Sequence, residues 1–246
     1  MTQEENRGEA AVSEVIGFIY IFGIVILSMS LIYILGYPAL QSSMDASIFE
    51  SSEQSFIVLQ SDMKMVAFDQ VPVKNLKIQL QGATLSVTHN SNITIEYSNG
   101  ASNETLINAS GEIEFQKNDR ALTYENGGVW KRYPDGRIMV SSPRMYASAN
   151  EPNITTVGVV SIKGTSSTGG RGIAVLNMRY NASAIELPPS PVNLTLRINS
   201  TYALEWISYL ESIGFTITNS TDTSLIALRN NTMVIVGIHL IDVDIY

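Results

Sequence analysis

The stretch Arg7–Pro38, RGEAAVSEVIGFIYIFGIVILSMSLIYILGYP, decides how the rest of the chain is read. Charge stops at Glu14, and from Val15 to Gly36 there is none. At 1.5 Å per residue this run reaches about 33 Å, enough to cross a hydrocarbon core. It is too long for a secretory h-region, and no A-x-A-like cleavage site follows it. Tyr20, Tyr33 and Tyr37 stand toward its ends, where interfacial aromatics are favoured. The expectation is one spanning helix over 15–36, preceded by a cytoplasmic leader over 1–14.

Beyond the span the composition suits an external β-rich domain. Charged residues make up 15% of the 246, the net charge is −8, and hydroxyl side chains are abundant. Nothing in that balance asks for nucleic acid. Basic residues gather between Lys117 and Arg144, but Asp119, Glu125 and Asp135 are interleaved, so a solvated hairpin surface is preferred over an anionic-ligand site. There is no cysteine, which removes disulfides and thiolate metal sites. Asn-x-Ser/Thr occurs at Asn92, Asn103, Asn108, Asn153, Asn181, Asn193, Asn199, Asn219 and Asn230. Hydroxyl-rich turns account for some of these. As acceptors of N-glycans, all nine follow the span, which puts the N-terminus inside and the large domain outside.

After the span, Leu40, Met44, Ile48, Phe56, Leu59, Met63 and Val66 recur at helical steps, predicting an amphipathic stalk over 37–70 with a kink at Pro38. From residue 71 to 187 the period becomes two. NLKIQL, ATLSVT, NITIEYS, GEIEFQK, ALTYEN and GVWKRY alternate between turn residues, ENGG and YPDG read as tight turns, and TTVGVVSIKG and RGIAVLNMRYN add two strands. An antiparallel sheet or sandwich is expected. LPPSPV reads as a stiff linker. It leads to a strand–helix–strand–strand unit over 192–246, with Ser200 or Thr201 as cap, a face of Ala203, Leu204, Ile207, Leu210 and Ile213, and Gly214 as stop. The fold class is α+β.

No catalytic, metal or cofactor constellation stands out. GTSSTGGRG lacks the Lys-Ser/Thr that a phosphate loop requires and is read as a loop. His89 and His239 stand alone, without zinc-ligand spacing. Asp242 and Asp244 share a strand face, read as a solvated edge rather than a calcium site. Trp206 is read as a core anchor, while Trp130 is balanced between core and ligand platform. An enzyme is not expected.

The segment AAVSEVIGFIYIFGIVILS resembles the N-terminus of archaeal type IV pilins and pilin-like proteins. Their class III signal peptide is cut by a prepilin peptidase ahead of the helix. The resemblance implies cleavage at Gly8–Glu9 or Ala10–Ala11, the second being preferred. It also implies that Glu14 meets a neighbouring subunit's new amino terminus; a carboxylate at a bilayer edge is costly unless paired. Gly17 and Gly23 would let helices pack closely. Residues 7–145, with the Gly127–Trp130 hairpin, look closer still to archaeal membrane-anchored surface proteins. Two functions stay open: a minor pilin-like subunit with other pilin-like subunits as partners, or a permanent membrane-lipid anchor for a domain that binds envelope components.

Overall fold

The computed structural model describes residues 3–100, 103–148, 150–189 and 191–246, with side chains from Val15 onward. The chain is α+β and divides into two compact units, 1–50 and 51–246. The helix α1 (Gln3–Ala67) supplies all of the described part of the first unit. Pro38 lies inside it and does not end it.

In the second unit, the remaining turns of α1 do not stand free as a stalk. Phe56, Leu59, Met63, Val66 and Ala67 recur every one to four residues on one face, and all are fully buried. The Phe56 ring meets Phe115 edge-on at 6.4 Å. Polar contacts flank this stripe: Lys131 donates to Glu53, Lys74 lies 3.4 Å from Asp62, and the Gln60 amide donates to the Gly127 carbonyl at 2.7 Å. Leu40 and Met44, counted in the same stripe from the sequence, are instead 61% and 57% exposed.

Thirteen strands are present among the described residues. β1 (Val73–Gln79), β2 (Ala83–Ser98), β3 (Asn103–Lys117), β4 (Arg120–Glu125), β5 (Gly128–Tyr133) and β6 (Gly136–Ser141) come first. β7 (Met145–Ala147), β8 (Ile154–Lys163), β9 (Ser167–Gly170), β10 (Ile173–Glu186) and β11 (Val192–Asn199) follow. The helix α2 (Ala203–Ser212), β12 (Thr216–Ser220) and β13 (Ser224–Ile245) complete the chain. The order along the main path is β1-β10-β13-β11-β2-β3-β4-β5-β6. Pairing is antiparallel except between β8 and β13, which run parallel from Ile154 opposite Met233 to Lys163 opposite Asp242.

β13 joins two sheet portions. Residues 224–232 pair with β11, while residues 233–242 pair with β8 and residues 236–245 with β10. The two portions share one core, in which Ile93, Ile95, Leu194 and Leu196 pack with Val157, Val159, Val234 and Val236. They approach tightly where β3 passes β8. A Cβ on Gly111 would lie 2.6 Å from the Ile162 carbonyl oxygen, so only glycine fits.

Several sequence expectations are corrected here. Residues 192–246 are not a sheet of their own, because β11 is inserted between β13 and β2, with Ile198 opposite Ile93 and Leu196 opposite Ile95. LPPSPV therefore carries the chain between neighbouring parts of one unit. The face that α2 buries is Ala203, Trp206, Tyr209 and Leu210, whereas Leu204 is 49% exposed. The aromatic rings bury more area than the aliphatic stripe and set the helix rotation. Tyr202 occupies the cap position without a side-chain cap bond, and the Ser200 hydroxyl accepts from its N–H instead. Part of the GTSSTGG loop is strand β9, which pairs with β2. Asn126 and Gly127 take the positive φ that the ENGG turn requires.

Because its strands are interleaved with the rest, the C-terminal region is expected to unfold with the whole second unit. Leu210→Ala should cost about 2–5 kcal/mol by leaving a cavity in this core. Thermal unfolding of the full chain in detergent should show one transition, shifted as a whole. A separate early transition confined to the C-terminal strands would contradict this.

Candidate functional site

The first candidate is the apolar surface of α1. No residue of its apolar window is buried, and it is long and apolar enough to cross a membrane. Along it Phe18 stacks on Phe22 at 6.3 Å and Tyr33 on Tyr37 at 5.5 Å. A Cβ added at Gly17 or Gly23 would meet nothing within 4 Å, so the backbone is open to a neighbour at both points. Gly8, Glu9, Ala10, Ala11 and Glu14, the positions at which cleavage and subunit contact are expected, lie outside the described side chains.

The candidate glycan acceptors divide by geometry. Asn103, Asn108, Asn181, Asn193, Asn199, Asn219 and Asn230 are exposed, while Asn92 and Asn153 are half-buried. Asn108, Asn193, Asn199 and Asn92 share the outward face of β2, β3 and β11. Asn199 donates its amide to the Asn92 side-chain oxygen at 3.0 Å. The Asn153 amide donates to the carbonyls of Asn230 and Asn231 at 3.2 and 2.9 Å, and its oxygen accepts from Arg229. Asn181 donates to Asp242, and Asp244 accepts from Arg179 at 2.7 Å, so the two aspartates face protein partners.

Among the described residues of the second unit are two clefts of ligand size. One, of about 460 Å³, lies between α1 and the segment 141–144 and includes Gln60, Lys64 and Arg144 in its lining. The other, of about 560 Å³, is mostly apolar, with Phe68, Ile185 and Ile235 around His239. Ser183 sits opposite His239 in register, and its hydroxyl lies 2.9 Å from Nδ1. That hydroxyl also donates to the Ala67 carbonyl at 3.5 Å, and the Phe68 ring is 4.3 Å from the imidazole. Burial holds the His239 pKa below its ordinary value. The histidine joins the end of α1 to β10 and β13. Among the described residues, no group of three or more His, Asp or Glu is placed to hold a metal.

The most unusual electrostatics lie inside the core. Glu125 closes β4 and is fully buried. One carboxyl oxygen accepts from the Trp206 indole and the other from the Ser200 hydroxyl, both at 2.8 Å. Trp130 lies 4.8 Å from Trp206 and 5.8 Å from Tyr202, and the Thr123 and Tyr202 hydroxyls are 2.9 Å apart. Both tryptophans are thus core anchors. Burial pushes the Glu125 pKa up to about 8; the two hydrogen bonds oppose this, and Glu112 adds to it. Alternation within ALTYEN gave no sign of it, because its partners are 75 and 81 residues away.

Unfolded, Glu125 releases its proton near 4.5; folded, it holds it to about 8. Its stabilising protonated form is fully retained below pH 4.5, and stability falls as pH rises toward 8, by up to roughly 1.4 kcal/mol per unit. Burial raises Glu114 in the same direction, so the wild type must be compared with Glu125→Gln. The advantage of the variant should grow by several kcal/mol between pH 5 and 9. The fluorescence of Trp130 and Trp206 reports the transition from within the cluster. Parallel pH profiles would contradict the assignment.

The chain is 25% identical over 275 aligned residues to an "Uncharacterized protein" of Archaeoglobus fulgidus, with 89% of each covered. No solved structure matches it. The model of the "Family of unknown function (DUF7289)" matches residues 10–244, and the chain belongs to that family.

Proposed function

We propose that this is a pilin-like surface protein. Its leader is cut by a prepilin peptidase, its apolar helix anchors it and packs against similar subunits, and its β-rich unit faces outward. The observation that carries the reading is the fully exposed apolar stretch of α1, set directly behind a charged leader ending in small residues. Cutting at Ala10–Ala11 would place a new amine three residues ahead of Glu14. A carboxylate at the bilayer edge then has an opposite charge to meet, on its own chain or a neighbour's. The outward orientation is supported by nine acceptor sequons that all follow the span, seven of them exposed.

A second reading, a permanent anchor without a filament, is favoured by one feature of the helix. Gly17 and Gly23 are six residues apart, about 120° around the axis, so they do not form a single small-residue seam.

Intact mass and N-terminal sequencing of membrane-extracted protein separate the two. The mature chain should begin at Ala11 or, failing that, at Glu9. Retention of residues 1–8 in all of the material would leave the anchor alone. For orientation, protease added to intact cells lacking a wall should remove a C-terminal tag. Glycan should be found on some of the seven exposed asparagines and not on Asn153, whose amide is already engaged. A protected tag would reverse the orientation.

A further inference from the structure

We propose that the cleft between the last turns of α1 and the segment 141–144 binds the carboxylates of an acidic glycan, with Lys64 and Arg144 as its cationic contacts. The choice of a glycan rests on the outward orientation proposed above; the binding chemistry does not.

The chain carries a net charge of −8, yet no residue lining this cleft is acidic. Within the 117–144 stretch, Lys131 is paired with Glu53 and Arg132 lies 4.0 Å from Glu114. Lys64 and Arg144 enter no ion pair among the described residues. Arg144 is held instead over the Phe68 ring at 5.3 Å, which orients the guanidinium without neutralising it.

The walls are rigid. Gln60 accepts from the Ser141 hydroxyl at 2.7 Å and donates to the Gly127 and Ser142 carbonyls. The Arg144 carbonyl accepts from the Gly158 N–H at 2.8 Å, and the carbonyls on either side, of Pro143 and Met145, share the single proton of the Tyr209 hydroxyl at 3.1 and 3.2 Å. A ligand would therefore find the Arg144 guanidinium already placed, which lowers the ordering cost of binding. Arginine presents a fork that matches a carboxylate, and lysine adds a point charge. Ser61 and Ser142 also line the cleft and offer hydroxyls to the hydroxyls of a sugar. A volume of about 460 Å³ suits an organic ligand rather than a bare ion.

The test uses the full chain in nanodiscs of zwitterionic lipid and isothermal titration calorimetry. The probes are a galacturonate oligomer, its methyl ester and inorganic phosphate. The galacturonate oligomer should bind, and its affinity should fall as salt is raised; the ester should bind at least tenfold more weakly. Lys64→Ala and Arg144→Gln together should reduce affinity at least tenfold, with Lys163→Ala as an unchanged control. Lys64→Ala alone places a good helix former at an exposed helix position and should cost about threefold, so a folded variant is assured. No binding of the oligomer, equal binding of the ester, or unchanged affinity in the double variant would overturn the proposal. Phosphate binding as tightly as the oligomer would also overturn it, leaving a simple oxyanion site. Binding in nanodiscs does not depend on orientation in the cell. A chain that binds the oligomer while its domain resists external protease would therefore fail the surface reading alone.

Discussion

The second unit depends on β13. With no cysteine to cross-link it, the chain must hold its strands by pairing and burial, and this one strand pairs with β8, β10, β11 and β12. Its register decides which residues meet. Ser183 reaches His239 only because they are opposite each other, and Val234 and Val236 enter the core only because that phase is kept. A slip of one residue would send each of these side chains to the other face. The final strand of the sequence is thus a central one, and the parallel partner β8 can join it only after the chain has crossed the unit.

A second convergence occupies three consecutive residues. Glu125 holds Trp206 of α2 and Ser200, Asn126 makes the turn with positive φ, and the Gly127 carbonyl takes the amide of Gln60 from α1. Both helices are thus tied to one hairpin turn. The buried carboxyl is expensive as a charge and inexpensive as an acid, which explains why the environment retains its proton. Replacing it with an apolar side chain would strand the Trp206 indole and the Ser200 hydroxyl, so the cluster is constrained as a set.

The sequence revealed what is local. The alternation of ATLSVT and NITIEYS, the ENGG turn and the uncharged run from Val15 to Gly36 are each legible from neighbouring residues, although the two alternating segments belong to the single strand β2 and the uncharged run is part of one helix from Gln3 to Ala67. The partners of those elements were not legible. Nothing within NLTLRIN indicates that it pairs with β2 about a hundred residues earlier, and so residues 192–246 read as a unit of their own. Likewise Leu204 and Leu210 look equivalent by spacing, and only the position of Trp130 makes the aromatic side of α2 the buried one. The candidate cleft has the same origin. Lys64 and Arg144 are 80 residues apart, and within the basic cluster around Arg144 it is Lys131 and Arg132 that face carboxylates, which the interleaved sequence does not show.

Lys64 admits a competing explanation. It lies in the last turn of α1, where a cation interacts favourably with the unpaired carbonyls of the helix end, an effect of about 0.3–1 kcal/mol at an exposed site. That explanation needs one charge and no cleft. It does not reach Arg144, which is fixed over an aromatic ring with its neighbouring carbonyls tied down, and it does not account for a lining free of acids in an acidic protein. Helix-end stabilisation would also be satisfied by a basic residue anywhere in the final turn, whereas a binding cleft requires one that opens toward Arg144. The two cations on one wall-bound cleft are therefore better explained by an anion that meets both than by the stability of either element.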